Sequence, residues 1–377
     1  MAAVKVDLEE DRYARQTLIK WWDQKALLKS HVLVVGAGAL GNEIVKNLAL
    51  VGVGNISIVD MDHIENSNLA RCIFFREEDS GKDKAEVLAK AAARVNPDIK
   101  TTHYVMPVQK LGDAFLDRFD LVIAGLDNRE ARIWLGAAIR RLGKYWIDGA
   151  IEGLVGKAQT FTPTGPCYAC TMTSKEWEII AFRRSCALLS KEEMLAGHSP
   201  TNATTSSIIA GVETQEAIKH LAGREEMSAL KDKIWRFLGD QMDTFTSIVS
   251  VDEECMYHFD HVTIKERIGL PDSLEELFKK YSISEDGYLS FYSDFLYVAP
   301  CASCGGDAAI GFRDLMKGLG VCKKCGNERD VTTANRILRS DAAAQVKINP
   351  SFWPYSGLVQ IIDGGVQTIA LEGESHG

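Results

Sequence analysis

The stretch HVLVVGAGALGNEIVKNLALVGV, residues 31–53, places a β-branched run, a glycine-rich turn and a helical repeat in immediate succession. Gly36, Gly38 and Gly41 have the spacing G-x-G-x-x-G, and the helical periodicity begins at Asn42. Glycines at this spacing permit a tight turn and let backbone N–H groups approach a phosphate at the helix N-terminus. The stretch therefore predicts a nucleotide-binding βα unit, but it does not distinguish NAD, FAD and ATP.

The alternation of strand and helix signals continues over residues 30–165. Short β-branched runs predict the strands, and runs rich in alanine and charged residues predict the helices between them. The predicted strands span residues 55–62, 119–128 and 144–151, and the predicted helices span residues 82–97 and 129–143. Strands that alternate with helices of about 10 to 15 residues are typical of parallel sheets covered on both faces. We therefore expect an α/β fold with a doubly wound, mainly parallel, Rossmann-like sheet.

The overall composition indicates a globular protein and argues against several classes of partner. Of the 377 residues, 46% are hydrophobic and 25% are charged. The formal net charge of -9 disfavours nucleic acid or an anionic membrane as the main partner. No apolar run approaches the roughly 18 residues of a membrane span, and the acidic N-terminal segment lacks the apolar stretch of a signal peptide. We expect a cytoplasmic protein with no nucleic-acid partner and no membrane partner.

Charged residues downstream of the glycine loop favour ATP over a dinucleotide. Asp60 ends the second predicted strand, 24 residues after Gly36, and suits the hydroxyls of a ribose. Arg71 and Lys84 are cations suited to a triphosphate, and Asp127 follows a strand end, where a carboxylate can hold Mg²⁺. A hydride-transfer enzyme does not need these last three residues. The sequence therefore predicts ATP and Mg²⁺ as ligands.

Seven motifs follow one another in order over roughly residues 10–262. They are RYARQ (12–16), VLVVGAGALGNE (32–43), IVDMDHIENSNLAR (58–71), GKDKAEV (81–87), GLDN (125–128), GPCYAC (165–170) and GVETQEAIKHLAG (211–223). As a set, they resemble the motifs of the ubiquitin-activating-type adenylyltransferases, the superfamily of ThiF, MoeB and HesA. This family includes the activating enzymes of ubiquitin-like proteins and the ThiF/MoeB-type enzymes of thiamine and molybdopterin synthesis.

The resemblance implies that the protein uses ATP to adenylate the C-terminal glycine carboxylate of a ubiquitin-like protein. Asp60 matches the ribose-binding acid of the family, and Asp127 matches its Mg²⁺-binding aspartate. Arg15 matches an arginine that reaches the ATP of a neighbouring protomer, which implies a homodimer. The other nucleotide-binding residues implied by the resemblance are Gly36, Gly38, Gly41, Asp62, Asn68, Arg71, Lys84 and Asn128. The expected catalytic residues are Arg15, Arg71, Lys84, Asp127 and Cys186.

Two cysteine pairs near the C-terminal end predict a zinc ribbon. Cys301-x-x-Cys304 and Cys322-x-x-Cys325 are separated by 17 residues, a spacing typical of four-cysteine zinc sites. Two redox-active pairs are the alternative, but they would need a different fold context. We expect a small zinc module that either docks a partner protein or stabilises this part of the chain.

A third pair, Cys167-x-x-Cys170, needs two further ligands. The family that the sequence resembles supplies a second C-x-x-C after a β-hairpin, and the corresponding stretch here reads EECMYHFDH. We expect Cys255 and His258 to complete a Cys₃His site, with His261 as the alternative fourth ligand. In the competing interpretation, His258 is a surface histidine and no zinc is bound. Zinc here would contribute to folding rather than to chemistry.

Two cysteines remain outside these pairs. Cys72 lies in the apolar run RCIFF and is expected to be a packed thiol. Cys186 follows Arg183 and Arg184, which would favour its thiolate form, and it precedes a polar stretch typical of a loop. Several of the enzymes that the sequence resembles use a cysteine near this position to receive the activated protein as a thioester. We expect Cys186 to be such a nucleophile, and the alternative is a structural thiol.

The sequence signals divide the chain into three parts. Residues 1–265 are expected to form the adenylation domain, with a crossover loop at about residues 187–205 and one zinc site. Residues 266–332 are expected to form a small α+β and zinc-ribbon module, in which Ser273 caps a short helix. Residues 333–377 are expected to be a C-terminal extension.

Four functions compete at this point. The first is activation of a ubiquitin-like protein, followed by thioester transfer to Cys186 and handover to a conjugating enzyme. The second is adenylation of a sulfur-carrier protein for thiocarboxylate formation, without an enzyme thioester. An NAD-dependent oxidoreductase and a non-catalytic scaffold are disfavoured, because neither needs the set of Arg15, Arg71, Lys84 and Asp127.

Overall fold

The computed structural model describes residues 11–178, 200–258, 260–316 and 318–373. The chain forms two compact units. The N-terminal unit comprises Met1–Pro107 and Phe119–Phe259, and the C-terminal unit comprises Val108–Arg118 and Asp260–Gly377. The short segment Val108–Arg118 therefore leaves the N-terminal unit and returns to it immediately before the strand that precedes Asp127.

One eight-stranded sheet with the order β3-β2-β1-β4-β5-β6-β7-β8 organises the N-terminal unit. The strands from β3 to β5 in this order are parallel, and β6, β7 and β8 extend the sheet in antiparallel fashion. The strands are β1 (His31–Val35), β2 (Asn55–Val59), β3 (Lys100–Tyr104), β4 (Leu121–Ala124), β5 (Trp146–Glu152), β6 (Val155–Phe161), β7 (Lys233–Leu238) and β8 (Asp243–Ile248). The predicted doubly wound, mainly parallel α/β fold is confirmed.

The helices lie between the strands, as the alternating pattern predicts. Those with described boundaries are α1 (Gln24–Lys29), α2 (Ala39–Val51), α3 (Lys84–Val95), α4 (Val108–Leu111), α5 (Asp113–Leu116), α6 (Arg129–Arg141), α7 (Ala203–Leu221), α8 (Glu275–Lys280) and α9 (Ala342–Gln345). A further helical stretch covers residues 174–178. In the described part of the chain, none of the helices has the length and apolarity that a membrane crossing requires.

The helix α2 begins at Ala39, earlier than the start predicted at Asn42. Gly38 is the N-cap residue, and the side-chain amide of Asn42 donates to the backbone carbonyls of Ala37 and Gly38 at 2.9 and 3.1 Å. These bonds satisfy carbonyls of the glycine loop and join it to the first turn of the helix. The glycine loop and the N-terminus of α2 therefore form one hydrogen-bonded unit.

The helix α7 packs against α2 and against β5 and β6. Two glycines of the sheet make room for it, because Gly156 lies under the side chain of Ile209 and Gly149 lies under the carboxyl group of Glu213. Both α7 side chains are completely buried. The sheet end formed by β5 and β6 is thus covered on this face by a helix that carries a buried carboxyl group.

The C-terminal unit contains a five-stranded sheet with the order β14-β10-β15-β16-β9 and a three-stranded sheet with the order β12-β11-β13. Its strands are β9 (Ile264–Gly269), β10 (Tyr288–Ser290), β11 (Phe295–Val298), β12 (Ala309–Phe312), β13 (Val331–Thr333), β14 (Arg336–Leu338), β15 (Ser356–Ile362) and β16 (Val366–Glu372). Residues 266–332 and 333–377, which were expected to be separate parts, lie in this same unit, where β10 pairs with β15.

The predicted side-chain cap of α8 is wrong. Leu274 is the N-cap residue of this helix, and no side chain caps it. Ser273 contributes only its backbone carbonyl, which accepts a hydrogen bond from the backbone N–H of Glu276 at 3.3 Å. Leu274 and Leu277 of this helix are buried in the core of the unit, so apolar packing sets its position.

Polar contacts attach the segment Val108–Arg118 to the C-terminal unit. Lys110 Nζ donates to the backbone carbonyls of Pro350 and Ser351 at 2.8 and 3.2 Å. Arg118 Nη2 lies 2.8 Å from Glu372 Oε2, on the last strand of the larger sheet. These long-range contacts explain why a segment placed in the adenylation domain by sequence belongs to the other unit.

Candidate functional site

The predicted nucleotide site lies at the carboxyl edge of the parallel strands. The last residues of β1, β2 and β4 are at one level of the sheet, so that Gly36, Asp60 and Gly125 emerge side by side. Gly36 has φ +98°, and a Cβ there would lie 2.7 Å from the carbonyl oxygen of Gly125. A Cβ at Gly41 would overlap the carbonyl oxygen of Gly36. Both positions therefore require glycine, for a left-handed turn and for close packing.

Gly38 differs from the other two glycines of the loop. No described atom lies within 4 Å of a Cβ built on it, so its backbone faces open space at the N-terminus of α2. Backbone N–H groups and the helix dipole make such a position favourable for a phosphate. The geometry suits the phosphate-binding role expected of this loop.

Asp60 accepts two hydrogen bonds from the backbone around the loop. Ala37 N donates to its Oδ2 at 2.6 Å, and Asp62 N donates to its Oδ1 at 2.8 Å. Burial raises the pKa of Asp60, whereas the two N–H donors oppose this effect. The carboxylate is thereby fixed in one orientation next to the glycine loop, as a ribose-binding acid must be.

Lys84 is the first residue of α3 and is held by Asp62. Its Nζ lies 3.0 Å from Asp62 Oδ2, and its backbone N–H donates to the carbonyl of Asp62 at 3.0 Å. The Lys84 side chain is mostly buried, whereas that of Asp62 is half-exposed. The ammonium group therefore lies near the strand end that bears Asp60, and a phosphate could replace the carboxylate as its partner.

Asn68 and Arg71 belong to the loop between β2 and α3. The Asn68 side chain is buried, and its Oδ1 accepts a hydrogen bond from the backbone N–H of Glu65 at 3.0 Å. Arg71 Nη1 donates to the carbonyl of Ser67 at 2.7 Å. Asn68 therefore shapes the loop, and the loop in turn orients the Arg71 guanidinium group.

Asp127 and Asn128 follow β4 at the same edge, and both are exposed. The side chain of Asn128 is the N-cap of α6, where its Oδ1 accepts hydrogen bonds from Glu130 N at 2.8 Å and Ala131 N at 3.3 Å. Asn128 was expected to bind the nucleotide, and its oxygen is used here for capping. Capping places the exposed carboxylate of Asp127 at the start of a helix, where Mg²⁺ could bind it.

One predicted catalytic residue lies away from this edge. Arg15 is exposed in the N-terminal segment, which is attached to the far end of α3 because Arg12 Nη1 donates to the carbonyl of Val95 at 3.0 Å. Tyr13 is buried beside it, and Asn96 Nδ2 donates to the Tyr13 hydroxyl at 2.8 Å. Cys186 lies outside the described residues.

A buried ion pair next to this edge was not predicted from the sequence. Arg132 Nε lies 2.8 Å from Asp148 Oδ1, and Arg132 Nη2 donates to the carbonyl of Gly149 at 2.8 Å. Both side chains are about 95% buried, at 6% and 4% exposed. The sequence contains a signal for this pair, because Arg132 lies one turn after the N-cap of α6 among apolar residues. The pair fixes β5 to α6, the helix that follows Asp127 and Asn128.

The first predicted metal cluster assembles as expected. Cys167 Sγ lies 3.7 Å from Cys170 Sγ and 3.6 Å from Cys255 Sγ, and Cys170 Sγ lies 3.1 Å from His258 Nε2. All four ligand atoms are within 4.8 Å of one another. Sulfur atoms of a disulfide would be about 2.05 Å apart. Tetrahedral Zn²⁺ with bonds of about 2.3 Å would separate them by about 3.8 Å, so the donor set fits Zn²⁺.

The second predicted cluster, in the C-terminal unit, has the same character. Cys301 Sγ lies 3.5 Å from Cys325 Sγ, and Cys304 Sγ lies 3.6 Å from Cys322 Sγ. The four thiols are free and lie within 4.8 Å of one another.

Cys72 is 3% exposed, in agreement with a packed thiol, and burial raises its pKa to about 11.

Comparisons with known proteins support this interpretation of the N-terminal unit. The chain is 41% identical over 150 residues to human ubiquitin-like modifier-activating enzyme 7. The matched region covers 37% of this chain and 15% of that protein. It is 37% identical over 158 residues to the Drosophila melanogaster Nedd8-activating enzyme E1 catalytic subunit, covering 38% and 35%. It is 37% identical over 164 residues to the Haloferax volcanii SAMP-activating enzyme E1, covering 42% and 61%. The matches thus span less than two thirds of each relative.

The fold of the chain is similar to that of a protein whose structure was solved with ATP. The crystal structure of Escherichia coli MccB with ATP aligns with a TM-score of 0.55 and 22% identity, over 67% of this chain and 75% of that one. At this identity, the likeness concerns the fold alone. Residues 12–256, well over half of the chain, match the model of the ThiF family. The chain therefore belongs to the ThiF family.

Proposed function

We propose that this protein adenylates the C-terminal glycine carboxylate of a ubiquitin-like protein at the expense of ATP. The observation that carries the proposal is the convergence of the Gly36–Gly41 loop, Asp60, Lys84 and Asp127 at one edge of the parallel sheet. A dinucleotide-binding site would use the loop and the acid, but it would have no need for Lys84 and Asp127.

The chemical step joins two negatively charged partners. A carboxylate oxygen attacks the α-phosphorus of ATP, a phosphorus–oxygen bond forms, and the bond to the leaving pyrophosphate breaks. Lys84 and Arg71 offset the negative charge that accumulates on the phosphates, and Asp127 would hold Mg²⁺. The backbone of the glycine loop and Asp60 keep the nucleotide in position, so that the reaction needs little reorganisation.

The position of Arg15 supports a homodimer. Arg15 is held near the C-terminal end of α3, whereas Lys84 is its first residue. A helix of 12 residues is about 18 Å long. Arg15 therefore lies far from the phosphates of its own chain, and it would serve the site of a neighbouring copy.

Two Zn²⁺ ions would have structural roles in this protein. Cys167, Cys170, Cys255 and His258 would join the start of the crossover segment to the stretch after β8. The four cysteines of the C-terminal unit would hold its small three-stranded sheet. Neither cluster contains a residue of the nucleotide edge, so the ions would contribute to folding and not to adenylation.

In the second step, Cys186 would attack the acyl-adenylate, form a thioester and release AMP. The protein would then hand the activated partner to a conjugating enzyme. The competing function is adenylation of a sulfur carrier, in which a sulfur donor reacts directly with the adenylate and no enzyme thioester forms.

The experiment that tests the proposal is ATP–pyrophosphate exchange with candidate small proteins ending in glycine. Exchange that depends on such a protein and on its terminal carboxylate is expected. A thiol-sensitive conjugate on a non-reducing gel, absent from Cys186→Ala while exchange persists, would favour the first function over sulfur transfer. Turnover of NADH without any exchange would contradict adenylation altogether.

A further inference from the structure

Two cations lie directly opposite each other on the sheet of the N-terminal unit. Lys157 of β6 pairs with Arg236 of the antiparallel neighbour β7. Both side chains are partly buried, and Tyr168 packs against Lys157, with Nζ 5.9 Å from the ring centroid. Like charges that face each other across a strand pair destabilise a sheet.

Two carboxylates act electrostatically on Lys157, and each of them is already paired with an arginine. Asp148, on the same face of the sheet, is paired with Arg132, and Glu176 lies 3.2 Å from Arg129. Within the described residues, neither Lys157 nor Arg236 forms an ion pair with a carboxylate. Arg236 donates only to the hydroxyl of Ser247, at 3.0 Å, and no described acceptor lies within hydrogen-bonding distance of Lys157 Nζ.

The arrangement is costly for folding. Burial lowers the pKa of Lys157. The carboxylates of Asp148 and Glu176 raise it, whereas the guanidinium groups of Arg132 and Arg236 lower it. A partly buried ammonium group without a hydrogen-bond acceptor loses part of its hydration and gains little in return. Such local conflicts are typical of functional sites, where a ligand completes the interactions.

Apolar side chains lie beside the two cations on the same face. Val155 precedes Lys157 by two residues, and Leu238 follows Arg236 by two, so all four point to one side of the sheet. Phe245, opposite Arg236 on the edge strand β8, is 44% exposed and packs against its guanidinium group, with 5.6 Å between the charged carbon and the ring centroid. The surface thus combines an uncompensated positive charge with exposed apolar area.

The surface formed by Lys157, Arg236 and their apolar neighbours lies close to the sheet edge at which the nucleotide site is predicted. Lys157 pairs with Ala150 of β5. Ala150 lies two residues after Asp148, and Asp148 pairs with the last residue of β4. Two strand spacings, about 10 Å, therefore separate Lys157 from the strand that leads to Asp127. An extended peptide covers this distance in about three residues.

We propose that Lys157 and Arg236 bind an acidic side chain of the protein substrate, located a few residues before its C-terminal glycine. The inference rests on the proposed adenylation of a ubiquitin-like protein. The acidic group supplies the counter-charge that the two cations lack, and Val155, Leu238 and Phe245 contact apolar parts of the same segment. The pair thus selects substrates by charge while the tail reaches the α-phosphate.

The test uses three fluorescein-labelled octapeptides that end in Gly-Gly and carry Glu, Ala or Lys as the fourth residue from the C-terminus. Binding is measured by fluorescence polarisation at low ionic strength without ATP, so it does not depend on adenylation. We expect the Glu peptide to bind about tenfold more tightly than the Lys peptide, and the difference to shrink as salt is added.

Variants assign the preference to the two cations. Lys157→Gln and Arg236→Gln should each weaken binding of the Glu peptide, and Lys157→Glu should favour the Lys peptide. Lys233→Gln is the matched control, because Lys233 is exposed on the same strand as Arg236 and points to the other face. Retained ATP binding and an unchanged melting temperature show that the variants are folded.

Equal binding of the three peptides by the unmodified protein would overturn the inference, as would no detectable binding of the Glu peptide at about millimolar concentration. An equal loss in Lys233→Gln would also overturn it, because it would indicate non-specific attraction. If the Glu peptide binds selectively but no small protein supports pyrophosphate exchange, the adenylation proposal fails and the acidic-peptide site remains.

Discussion

At the residue scale, Lys84 is the cation to which the proposed function assigns a phosphate of ATP. Its ammonium group is mostly buried and is held by the half-exposed Asp62 at 3.0 Å. The position at the start of α3 is fixed by backbone hydrogen bonding as well. In the proposed function, the phosphates of ATP would replace Asp62 as the partner of a cation that is already in place.

Replacement of Lys84 by alanine should reduce pyrophosphate exchange by about 10²- to 10³-fold, as for other groups that stabilise developing charge. Lys82→Ala is the control, since Lys82 is two residues away, half-exposed and paired with Asp79 at 2.8 Å. Exchange rates and the melting temperature of both variants are measured. Equal activity of the two variants would contradict the role given to Lys84.

The environment of Glu213 gives a second prediction at the residue scale, which concerns the pH dependence of stability. It is completely buried on α7 against Gly149, and neither of its carboxyl oxygens has a hydrogen-bond partner among the described residues. Burial raises the pKa of Glu213 well above the ordinary value of 4.5, and the nearby Asp148 raises it further. The protonated form is therefore the one that the folded protein favours.

The pH dependence follows from this raised pKa. The contribution of Glu213 to stability is fully present below its unfolded pKa, and it is lost as the pH rises from there through the folded pKa. We expect Glu213→Gln to lack this decline, so its melting temperature should gain on the wild-type value as the pH increases from mildly acidic to mildly alkaline. Glu226→Gln, at an exposed position, is the control. A difference between wild type and Glu213→Gln that does not change with pH would refute the assignment.

At the element scale, the pair of Arg132 and Asp148 joins α6 to β5 beneath the nucleotide edge. Because both groups are buried, removing one of them leaves an uncompensated charge. Arg132→Met should therefore lower stability by about 3–5 kcal/mol, as measured by chemical unfolding followed by tryptophan fluorescence.

Two comparison variants make this prediction specific. The double variant Arg132→Met/Asp148→Leu should recover much of the loss, because no buried charge remains. Arg129→Met, which breaks the more exposed pair with Glu176, should cost at most about 1 kcal/mol. If both single variants were equally stable, the buried pair would not be the link between the two elements.

The two cysteine clusters also belong to the element scale, because each cluster connects a turn to a segment that is distant in the chain. We expect the purified protein to contain about two Zn²⁺ ions per chain, and Cys255→Ser and Cys322→Ser to retain about one each. Elemental analysis by mass spectrometry measures the content. Cys186→Ser should keep both ions, since Cys186 is assigned to neither cluster. Loss of both ions in either ligand variant would show that the two sites are not independent.

At the scale of the whole molecule, the separation of Arg15 from Lys84 predicts that the active unit is a dimer. Arg15→Ala and Lys84→Ala homodimers should each be inactive, because every site lacks one of the two cations. After subunit exchange, half of the dimers are mixed, and each has one intact site. The mixture should therefore recover about a quarter of the wild-type exchange rate.

Activity assays before and after incubation of the mixture measure this complementation. A mixture of Arg15→Ala with the double variant Arg15→Ala/Lys84→Ala is the control and should remain inactive. If Arg15→Ala alone kept full activity, or if mixing restored none, Arg15 would not act on a neighbouring chain.

The order of strands and helices in the N-terminal unit could be predicted because its signals are local. The β-branched run, the glycine turn and the helical repeat around Gly36 lie within 23 consecutive residues. The C-x-x-C spacings are equally local, and they placed both metal clusters. By contrast, β3 and the larger sheet of the C-terminal unit were not predicted. Their place depends on pairing between segments separated in the chain, β3 with β2 and β9 with β16.

The sequence by itself determined the α/β class, the glycine loop and the family to which the chain belongs, since each is indicated by short motifs whose own residues lie a few positions apart. Only the tertiary structure decided that Arg132 neutralises Asp148, and that Lys157 and Arg236 face each other with no carboxylate partner among the described residues. These are pairings between segments far apart in the chain, and their energies depend on burial and register. Spacing along the chain contains no information about either of them.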